Sequence, residues 1–391
     1  MVFDLGVLVS EPPKYPLLPD YADSLTLSHA HLDHSGMAPA LYKKQSLPIY
    51  ATKLTHQLAQ ILQEDNLKVT QHEGYPLPYS QKDQLKAVAG QISLGYRQPR
   101  NVHPGISMQL YDAGHIPGSA SALLELEGKK VLYTGDINDK DTRLLAGADV
   151  PEADVLVMEA TYGDRLHPSR EESEKALLSA INKTLDAGGV ALLPVFAVGR
   201  SQEILMTLAS LDATIYLDGL SKLASKVIIT NGEFVRDVAQ LQRAANHSTW
   251  IEHDHQRRGI VQEPCVLLTT AGMLNGGPVI QYMRMLAGDA RNSILLTGYQ
   301  VEGTNGRLLM EKGHIIDPDT KGRMPVSATV RQFDFSAHAD QKGLLEIADK
   351  ADPSEIVLMH GSPEATDALE AKLSEEGYKV HAPEIGETIE L

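Results

Sequence analysis

Three histidines and one aspartate lie close together near the start of the chain, in the run Ser28-His29-Ala30-His31-Leu32-Asp33-His34. In an extended backbone residues i, i+2 and i+4 point the same way, so His29, His31 and Asp33 are predicted to converge. His34 is predicted to begin a helix and to face a neighbouring position. Imidazole nitrogens combined with carboxylate oxygen suit zinc. The run therefore predicts metal ligands, and the alternative is a polar surface loop that is rich in histidine.

Three more candidate ligands follow apolar, strand-like segments further along the chain: His115, Asp136 and His360. Clefts in layered α/β proteins lie where strands end and loops diverge. Taken singly, either histidine is more often structural than metal-binding. Taken together with the early cluster, their shared placement predicts that they complete its metal site.

The composition is that of a globular protein long enough for two domains, with 391 residues, 42% of them hydrophobic and 22% charged. The sequence contains neither an apolar run of membrane-spanning length nor the pattern of a secretory signal, which predicts a cytoplasmic protein. The single cysteine, Cys265, excludes an intramolecular disulfide and a multi-cysteine metal site.

The formal net charge of -16 argues against nonspecific binding of duplex nucleic acid along the outer surface, because phosphate contacts need Lys and Arg. Acidic residues concentrate in helix-like stretches such as residues 171–174, whose ordinary interpretation is a solvated face. Bound metal ions would add positive charge locally. A single strand threaded to such a site is compatible with this balance.

The chain is predicted to form a core that is interrupted by an insert. Residues 1–168 form the first part of the core domain, residues 169–325 the insert, and residues 326–391 the return to the core. Strands alternate with helices in the insert, which predicts a parallel sheet. The insert is expected to fold over the metal site like a lid.

With these motifs, the sequence resembles the β-CASP branch of the metallo-β-lactamase superfamily from about residue 4 to residue 391. It looks most like the endonuclease subunit type of the cleavage and polyadenylation specificity factor, with ribonuclease J among its relatives. The superfamily motifs match Asp4, the run from His29 to His34, His115 and Asp136. The three motifs of the branch match Glu159, His338 and His360.

The resemblance implies an α/β fold, a metallo-β-lactamase αββα sandwich with an inserted β-CASP domain whose parallel sheet is flanked by helices. It also implies two Zn²⁺ ions per chain, with Mn²⁺ as an alternative. The ligands of the first ion would be His29, His31 and His115, those of the second Asp33, His34 and His360, and Asp136 would bridge both. Asp4 is expected to orient ligands rather than to bind metal.

The activity implied by the resemblance is that of a zinc-dependent ribonuclease acting on single-stranded RNA in 3′-end processing, maturation or decay. Endonucleolytic and 5′–3′ exonucleolytic cleavage are both compatible with the motifs. His338 is expected to donate a proton to the leaving group and Glu159 to orient it, with Asp33 also counted among the catalytic residues. The expected phosphate-binding residues are Gly199, Arg200 and Ser336.

Two other functions remain open at this stage. A hydrolase of small esters or thioesters would keep the metal ligands but would need neither the long insert nor the pair of His338 and Glu159. A non-catalytic scaffold subunit would be expected to have lost ligands, and none is missing. A homodimer and a larger RNA-processing complex are both compatible with the sequence.

Overall fold

The computed structural model describes residues 1–8 and 12–391. The chain divides into two compact units. Unit 1 comprises Met1–Asp141, Leu145–Leu166 and Ala337–Leu391, and unit 2 comprises Thr142–Leu144 and His167–Ser336. In the described part of the chain, no helix has the length and apolar character needed to cross a membrane.

Unit 1 contains two sheets. The smaller is parallel and pairs in the order β1 (Val2–Phe3), β2 (Leu25–Thr26), β3 (Ile49–Ala51) and β4 (Gln91–Ser93). The larger sheet is mixed and has the order β19-β18-β9-β8-β7-β6-β5. Its strands are β5 (Arg100–His103), β6 (Ile106–Asp112), β7 (Ala120–Leu126), β8 (Lys129–Tyr133), β9 (Val155–Glu159), β18 (Glu355–Met359) and β19 (Lys379–His381).

The helices of unit 1 lie on the outer faces of the two sheets. They are α1 (Leu32–Ser35), a 3₁₀ segment at Ala38–Lys43, α2 (Lys53–His72), α3 (Gln81–Ala89), α11 (Gln341–Ala351) and α12 (Pro363–Glu375). One apolar cluster joins the small sheet to its helices, for example through Leu25 and Leu67. Another fills the space between the sheets, and a third joins the large sheet to α11 and α12. Because each layer buries an apolar face, unit 1 is the predicted αββα sandwich.

Strand direction explains why functional side chains gather at one edge of the large sheet. Strands β5 to β8 alternate in direction, whereas β8, β9, β18 and β19 pair in parallel. The carboxyl ends of β6, β8, β9 and β18 consequently lie at the same edge. The loops that follow them can therefore bring side chains from distant parts of the sequence together.

Unit 2 contains a parallel sheet with the order β12-β11-β13-β10-β14-β17 among the described residues. Its strands are β10 (Ala191–Pro194), β11 (Ile215–Asp218), β12 (Thr249–Trp250), β13 (Val266–Thr269), β14 (Ser293–Leu296) and β17 (Thr329–Gln332). A separate antiparallel pair is formed by β15 (His314–Ile316) and β16 (Arg323–Pro325). The parallel sheet agrees with the alternation of strands and helices in the sequence.

Helices connect the strands of unit 2 and pack on its sheet. They are α4 (Arg170–Asp186), α5 (Arg200–Leu208), α6 (Ser221–Thr230), α7 (Val238–His247), α8 (Arg257–Ile260), α9 (Pro278–Leu286) and α10 (Asn305–Lys312), with 3₁₀ segments at Gly232–Phe234 and Asp254–Gln256. A buried cluster that includes Leu267, Tyr282 and Ile294 fills the space between sheet and helices. Cys265 belongs to this cluster, so it is a small buried apolar residue as expected.

The chain returns to unit 1 later than the sequence suggested. The predicted return at residue 326 would place β17 in the core domain, but β17 pairs along its length with β14 and extends the sheet of unit 2. Residues up to Ser336 therefore belong with the insert, and unit 1 resumes at Ala337. The physical reason is that an edge of the parallel sheet gains hydrogen-bond partners from this strand.

Candidate metal centre

The predicted ligands converge in unit 1. His29 and His31 follow β2, His115 follows β6, Asp136 follows β8, and His360 is the residue after β18. Four ligand atoms from His29, His31, His115 and Asp136 lie within 4.8 Å of one another. Three other groups are equally close: His34 with Asp136 and His360, His29 with Asp33 and His34, and Asp136 with Glu159 and His338. Asp136 thus belongs to both predicted halves of the site.

The expected alternation of side chains holds only as far as His31. This residue is extended, with φ −57° and ψ 149°, but α1 begins at Leu32 and takes Asp33 into its first turn. Asp33 therefore reaches the cluster from a helix rather than from a strand. The segment after Asp4 holds α1 in place, because the amides of Leu5 and Val7 donate to the carbonyls of His34 and Leu32.

Asp4 lies beneath the ligands and accepts four hydrogen bonds. Its Oδ1 accepts from the amide of Ser28 at 2.7 Å, and its Oδ2 accepts from the Ser28 hydroxyl, His34 Nδ1 and the Tyr133 hydroxyl at 2.6 to 2.8 Å. A carboxylate only accepts, so His34 Nδ1 carries a proton, and in the neutral ring that binds a metal ion Nε2 presents a lone pair. Since the Ser28 hydroxyl proton is directed at Asp4, Ser28 Oγ accepts from His29 Nδ1 at 3.0 Å.

The same reasoning fixes His115. Its Nδ1 lies 2.9 Å from the carbonyl of Ala337, which can only accept, so Nε2 of His115 presents a lone pair. That atom lies 3.2 Å from His31 Nδ1. His34 Nε2 similarly lies 3.2 Å from His360 Nε2. Imidazole nitrogens that face one another this closely without a proton repel, and a shared cation removes the repulsion.

The buried atoms of the cluster fit a metal site. In residues 1–8 and 12–391, His29 Nε2 and Asp136 Oδ1 are buried without a hydrogen-bond partner. Such atoms are costly unless an ion satisfies them. Burial lowers the pKa of both His29 and His115, which keeps them neutral as ligands must be. Burial raises the pKa of Asp136, but His34 and His360, which are charged when no ion is bound, lower it by more, so this carboxyl is ionised.

His338 and Glu159 form a pair beside this cluster. Glu159 is the last residue of β9 and is fully buried, and both of its carboxylate oxygens lie 3.0 Å from His338 Nδ1. The amide of Ile137 also donates to Glu159 at 2.7 Å, which fixes the carboxylate. Burial lowers the pKa of His338, but the charges of Glu159 and Asp136 outweigh it and raise this pKa overall.

Three family models match successive parts of the chain. They describe a metallo-β-lactamase superfamily domain over residues 16–161, a Beta-Casp domain over residues 201–309 and a Zn-dependent metallo-hydrolase RNA specificity domain over residues 323–383. A curated relative, "Probable RNase MJ4" of Methanocaldococcus jannaschii, is 36% identical over 406 residues, which cover 100% of this chain and 94% of that protein. The chain belongs to the β-CASP branch of the metallo-β-lactamase superfamily.

Two further proteins are similar to this β-CASP chain. "RNase aCSPSF2" of Saccharolobus solfataricus is 33% identical over 404 residues, which cover 100% of this chain and 80% of that protein. A crystal structure of a protein of unknown function from Enterococcus faecalis V583 aligns with a TM-score of 0.59 at 16% identity. The alignment covers 96% of this chain and 83% of that one, and it supports the fold alone.

The residues that were predicted to bind phosphate in this β-CASP chain have other partners. The amide of Gly199 donates to Gln202 Oε1 at 2.8 Å, and the amide of Arg200 donates to the carbonyl of Val198. The amides of Gly199 and Arg200 at this strand-to-helix junction are therefore already engaged within the chain. The amide of Ser336 donates to Asp334 at 2.8 Å. The Arg200 guanidinium lies near Asp334 and contributes to lowering the pKa of that carboxyl below its usual range.

Sequence reasoning missed three residues that hold the ligands: Ser28, Tyr133 and Thr161. Ser28 and Tyr133 act through Asp4, and Thr161 contacts His360, with its hydroxyl 3.2 Å from Nδ1 and 3.1 Å from the carbonyl oxygen. Each lies within three residues of a predicted site residue in the sequence. A hydroxyl-bearing residue this close to a predicted site residue could have been recognised as a partner of the ligands, because ligating histidines regularly donate their second N–H to a neighbouring acceptor.

Proposed function

We propose that this chain is a zinc-dependent ribonuclease that hydrolyses phosphodiester bonds of single-stranded RNA. The observation that supports this most is the pair of His338 and Glu159 beside the cluster of seven metal-ligand candidates. Relatives whose printed names are "Probable RNase MJ4" and "RNase aCSPSF2" match the whole chain, which favours RNA as the substrate. The family model for an RNA specificity domain, over residues 323–383, points the same way.

The donor set suits two zinc ions. His29, His31 and His115 would hold one ion, Asp33, His34 and His360 would hold the other, and Asp136 would contact both. Nitrogen-rich ligand sets that include a carboxylate favour zinc over harder cations, and manganese is the alternative. When bound, the ions would supply positive charge at the phosphate and lower the pKa of a water molecule toward neutrality.

His338 is suited to protonate the leaving oxygen. Because its Nδ1 donates to Glu159, the second proton of the imidazolium is on Nε2. The buried carboxylate of Glu159 keeps the ring charged and limits its rotation, and 20% of the His338 side chain is exposed. A ring that is held in this way can deliver a proton to an alkoxide leaving group, which is a poor leaving group without one.

Two exposed aromatic side chains in unit 2 favour a single strand over a duplex. Phe196 follows β10 and Tyr299 follows β14, so both lie at the carboxyl edge of the parallel sheet. Phe196 is 37% exposed and Tyr299 is 49% exposed. A β-carbon at Gly298 would lie 3.7 Å from the Phe196 ring, so the loop that leads to Tyr299 passes close to that ring. Aromatic rings of this kind stack unpaired bases without regard to their sequence.

The test is incubation of the purified protein with end-labelled single-stranded RNA, with and without a chelator. We expect cleavage that the chelator abolishes and that added Zn²⁺ or Mn²⁺ restores. A matched duplex of the same sequence should be cleaved far more slowly. Absence of RNA cleavage together with turnover of a small ester or thioester would instead support the other hydrolase class, and absence of both activities would support a scaffold.

A further inference from the structure

The two halves of the candidate metal centre differ in burial. In the first half, His29 and His115 are at most 3% exposed and His31 is partly buried. In the second half, His34 is also 3% exposed, but 33% of the His360 side chain and 50% of the Asp33 side chain are exposed. An ion in the second position would therefore have two ligands that face water. Such ligands need other contacts to hold their orientation.

His360 has an unusual backbone conformation. Its φ is +52°, in the left-handed region that residues with a β-carbon rarely adopt. Such a conformation persists only where the surroundings enforce it, and it is frequent at functional sites. The preceding strand β18 holds one side of the turn, since the amide of Ala160 donates to the carbonyl of Met359 at 2.8 Å.

Thr161 contacts both the backbone and the ring of His360. Its Oγ1 lies 3.1 Å from the His360 carbonyl oxygen and 3.2 Å from Nδ1. The carbonyl only accepts, so the single hydroxyl proton of Thr161 is donated to it. The oxygen of Thr161 then accepts from Nδ1–H, and Nδ1 also lies 3.3 Å from Asp136 Oδ1. In the neutral ring that binds a metal ion, Nε2 of His360 has a lone pair, and it faces His34 Nε2 at 3.2 Å.

We propose that Thr161 is a positioning residue for His360 and that its hydroxyl determines how firmly the second metal position retains its ion. The proposal rests on the two-metal site of the proposed function. One hydroxyl donates to the backbone carbonyl of His360 and accepts from its Nδ1–H. It thereby fixes the backbone, the ring orientation and the tautomer of this ligand. The second position would accordingly be the exchangeable one.

The experiment compares Thr161→Val, which keeps the shape and removes the hydroxyl, with Thr161→Ser, which keeps the hydroxyl. Each protein is stripped with chelator, reloaded with Zn²⁺ and dialysed, and its zinc is counted by elemental mass spectrometry. Competition with a coloured chelator gives the affinity of each ion. We expect two ions in the wild type and in Thr161→Ser, and one firmly held ion in Thr161→Val, whose weaker ion should bind about 10- to 100-fold less tightly.

Matched controls separate this role from a general loss of stability. Thr184→Val removes a buried hydroxyl that donates to the carbonyl of Ala180 in unit 2, and it should retain two ions. Thr161→Ala lacks the hydroxyl as well and should repeat the loss of one ion if the valine variant folds poorly. Two ions bound at wild-type affinity in Thr161→Val or Thr161→Ala would overturn the proposal. A wild type that binds no zinc would contradict the metal site itself, which is a different outcome.

Discussion

Nδ1 of His338 lies 3.0 Å from each carboxylate oxygen of Glu159, so one fully buried acid holds one partly exposed imidazole. The arrangement resembles a support for a proton donor more than a metal-ligand pair, because both oxygens of Glu159 are already engaged. Substitution of either residue is therefore the most direct test of the proposed ribonuclease activity.

His338→Ala is expected to reduce RNA cleavage by about 10²- to 10⁴-fold, the usual contribution of a positioned general acid. Glu159→Gln should reduce it as well, because the neutral amide no longer stabilises the imidazolium. Single-turnover rates and zinc content are the measurements, and zinc should stay at two ions per chain. The control is His381→Ala. It breaks a similar contact outside the site, in which His381 Nε2 lies 2.9 Å from Glu355 Oε2. An unchanged cleavage rate in His338→Ala would remove this residue from the mechanism.

Tyr133→Phe is expected to weaken the metal site without touching a ligand. The substitution removes one of the four hydrogen bonds that Asp4 accepts, so the orientation of His34 and Ser28 loosens. We expect a loss of about 1 kcal/mol in the free energy of unfolding and about tenfold in zinc affinity. Tyr96→Phe is the control, since it removes a hydroxyl that donates to the carbonyl of Ser119 at 2.7 Å. Equal zinc affinities in the two variants would contradict the role assigned to Tyr133.

Phe196→Ala is expected to weaken RNA binding more than it slows the chemical step. Loss of one base-stacking ring costs about 1 to 3 kcal/mol, so KM for single-stranded RNA should rise by about tenfold with kcat little changed. Steady-state kinetics on an RNA of uniform sequence would measure this. Tyr21→Ala removes an aromatic side chain that is 71% exposed in unit 1 and should leave KM unchanged. If KM moves equally in both variants, Phe196 has no specific part in RNA binding.

His56 is expected to make the fold less stable in acid. This histidine lies on α2, its Nε2 is 3.2 Å from the carbonyl of Ile92, and burial lowers its pKa to about 4. In the unfolded chain His56 has the ordinary pKa of about 6.5, so between pH 6.5 and pH 4 the unfolded state binds a proton at this residue more tightly than the folded state does. Stability contributed by neutral His56 is therefore complete above pH 6.5 and falls as the pH drops toward 4.

The size of this effect is about 2 kcal/mol between pH 7 and pH 5, from the difference between the two pKa values. Denaturant unfolding of the wild type and of His56→Gln at both pH values would measure it. The variant should lose less stability on acidification, whereas His72→Gln, at an exposed position on the same helix, should behave like the wild type. A wild-type slope retained in His56→Gln would show that other groups cause the acid sensitivity.

Much of the site could be predicted because its ligands follow a simple rule of placement. His115, Asp136 and His360 each come after an apolar strand, and parallel strand ends meet at one edge. The partners of these ligands were harder to predict. Tyr133 contacts Asp4 and Thr161 contacts His360 across segments that are far apart in the sequence, and spacing along the chain does not encode which side chains such hydroxyls meet.

The errors have equally specific causes. Strand β17 was assigned to the core domain, since four residues do not reveal which sheet edge they will join. The expected anion site at Gly199 disregarded Gln202, although a glutamine three residues after a helix cap commonly reaches back to the cap amide. In that case the sequence contained the signal. Residue types and spacing therefore predicted the candidate ligands, whereas the domain boundary depends on a strand pairing that spacing does not reveal.

The separation of His29 from His360 along the chain has a consequence for synthesis in the cell. A growing polypeptide that has just emerged from the ribosome as far as Asp136 already holds the buried half of the cluster, yet it lacks the proton donor and the last exposed ligand. Since domains fold progressively from the amino terminus, the site would be completed only after His338 and His360 have been synthesised, and RNA cleavage by the nascent chain would be absent until then.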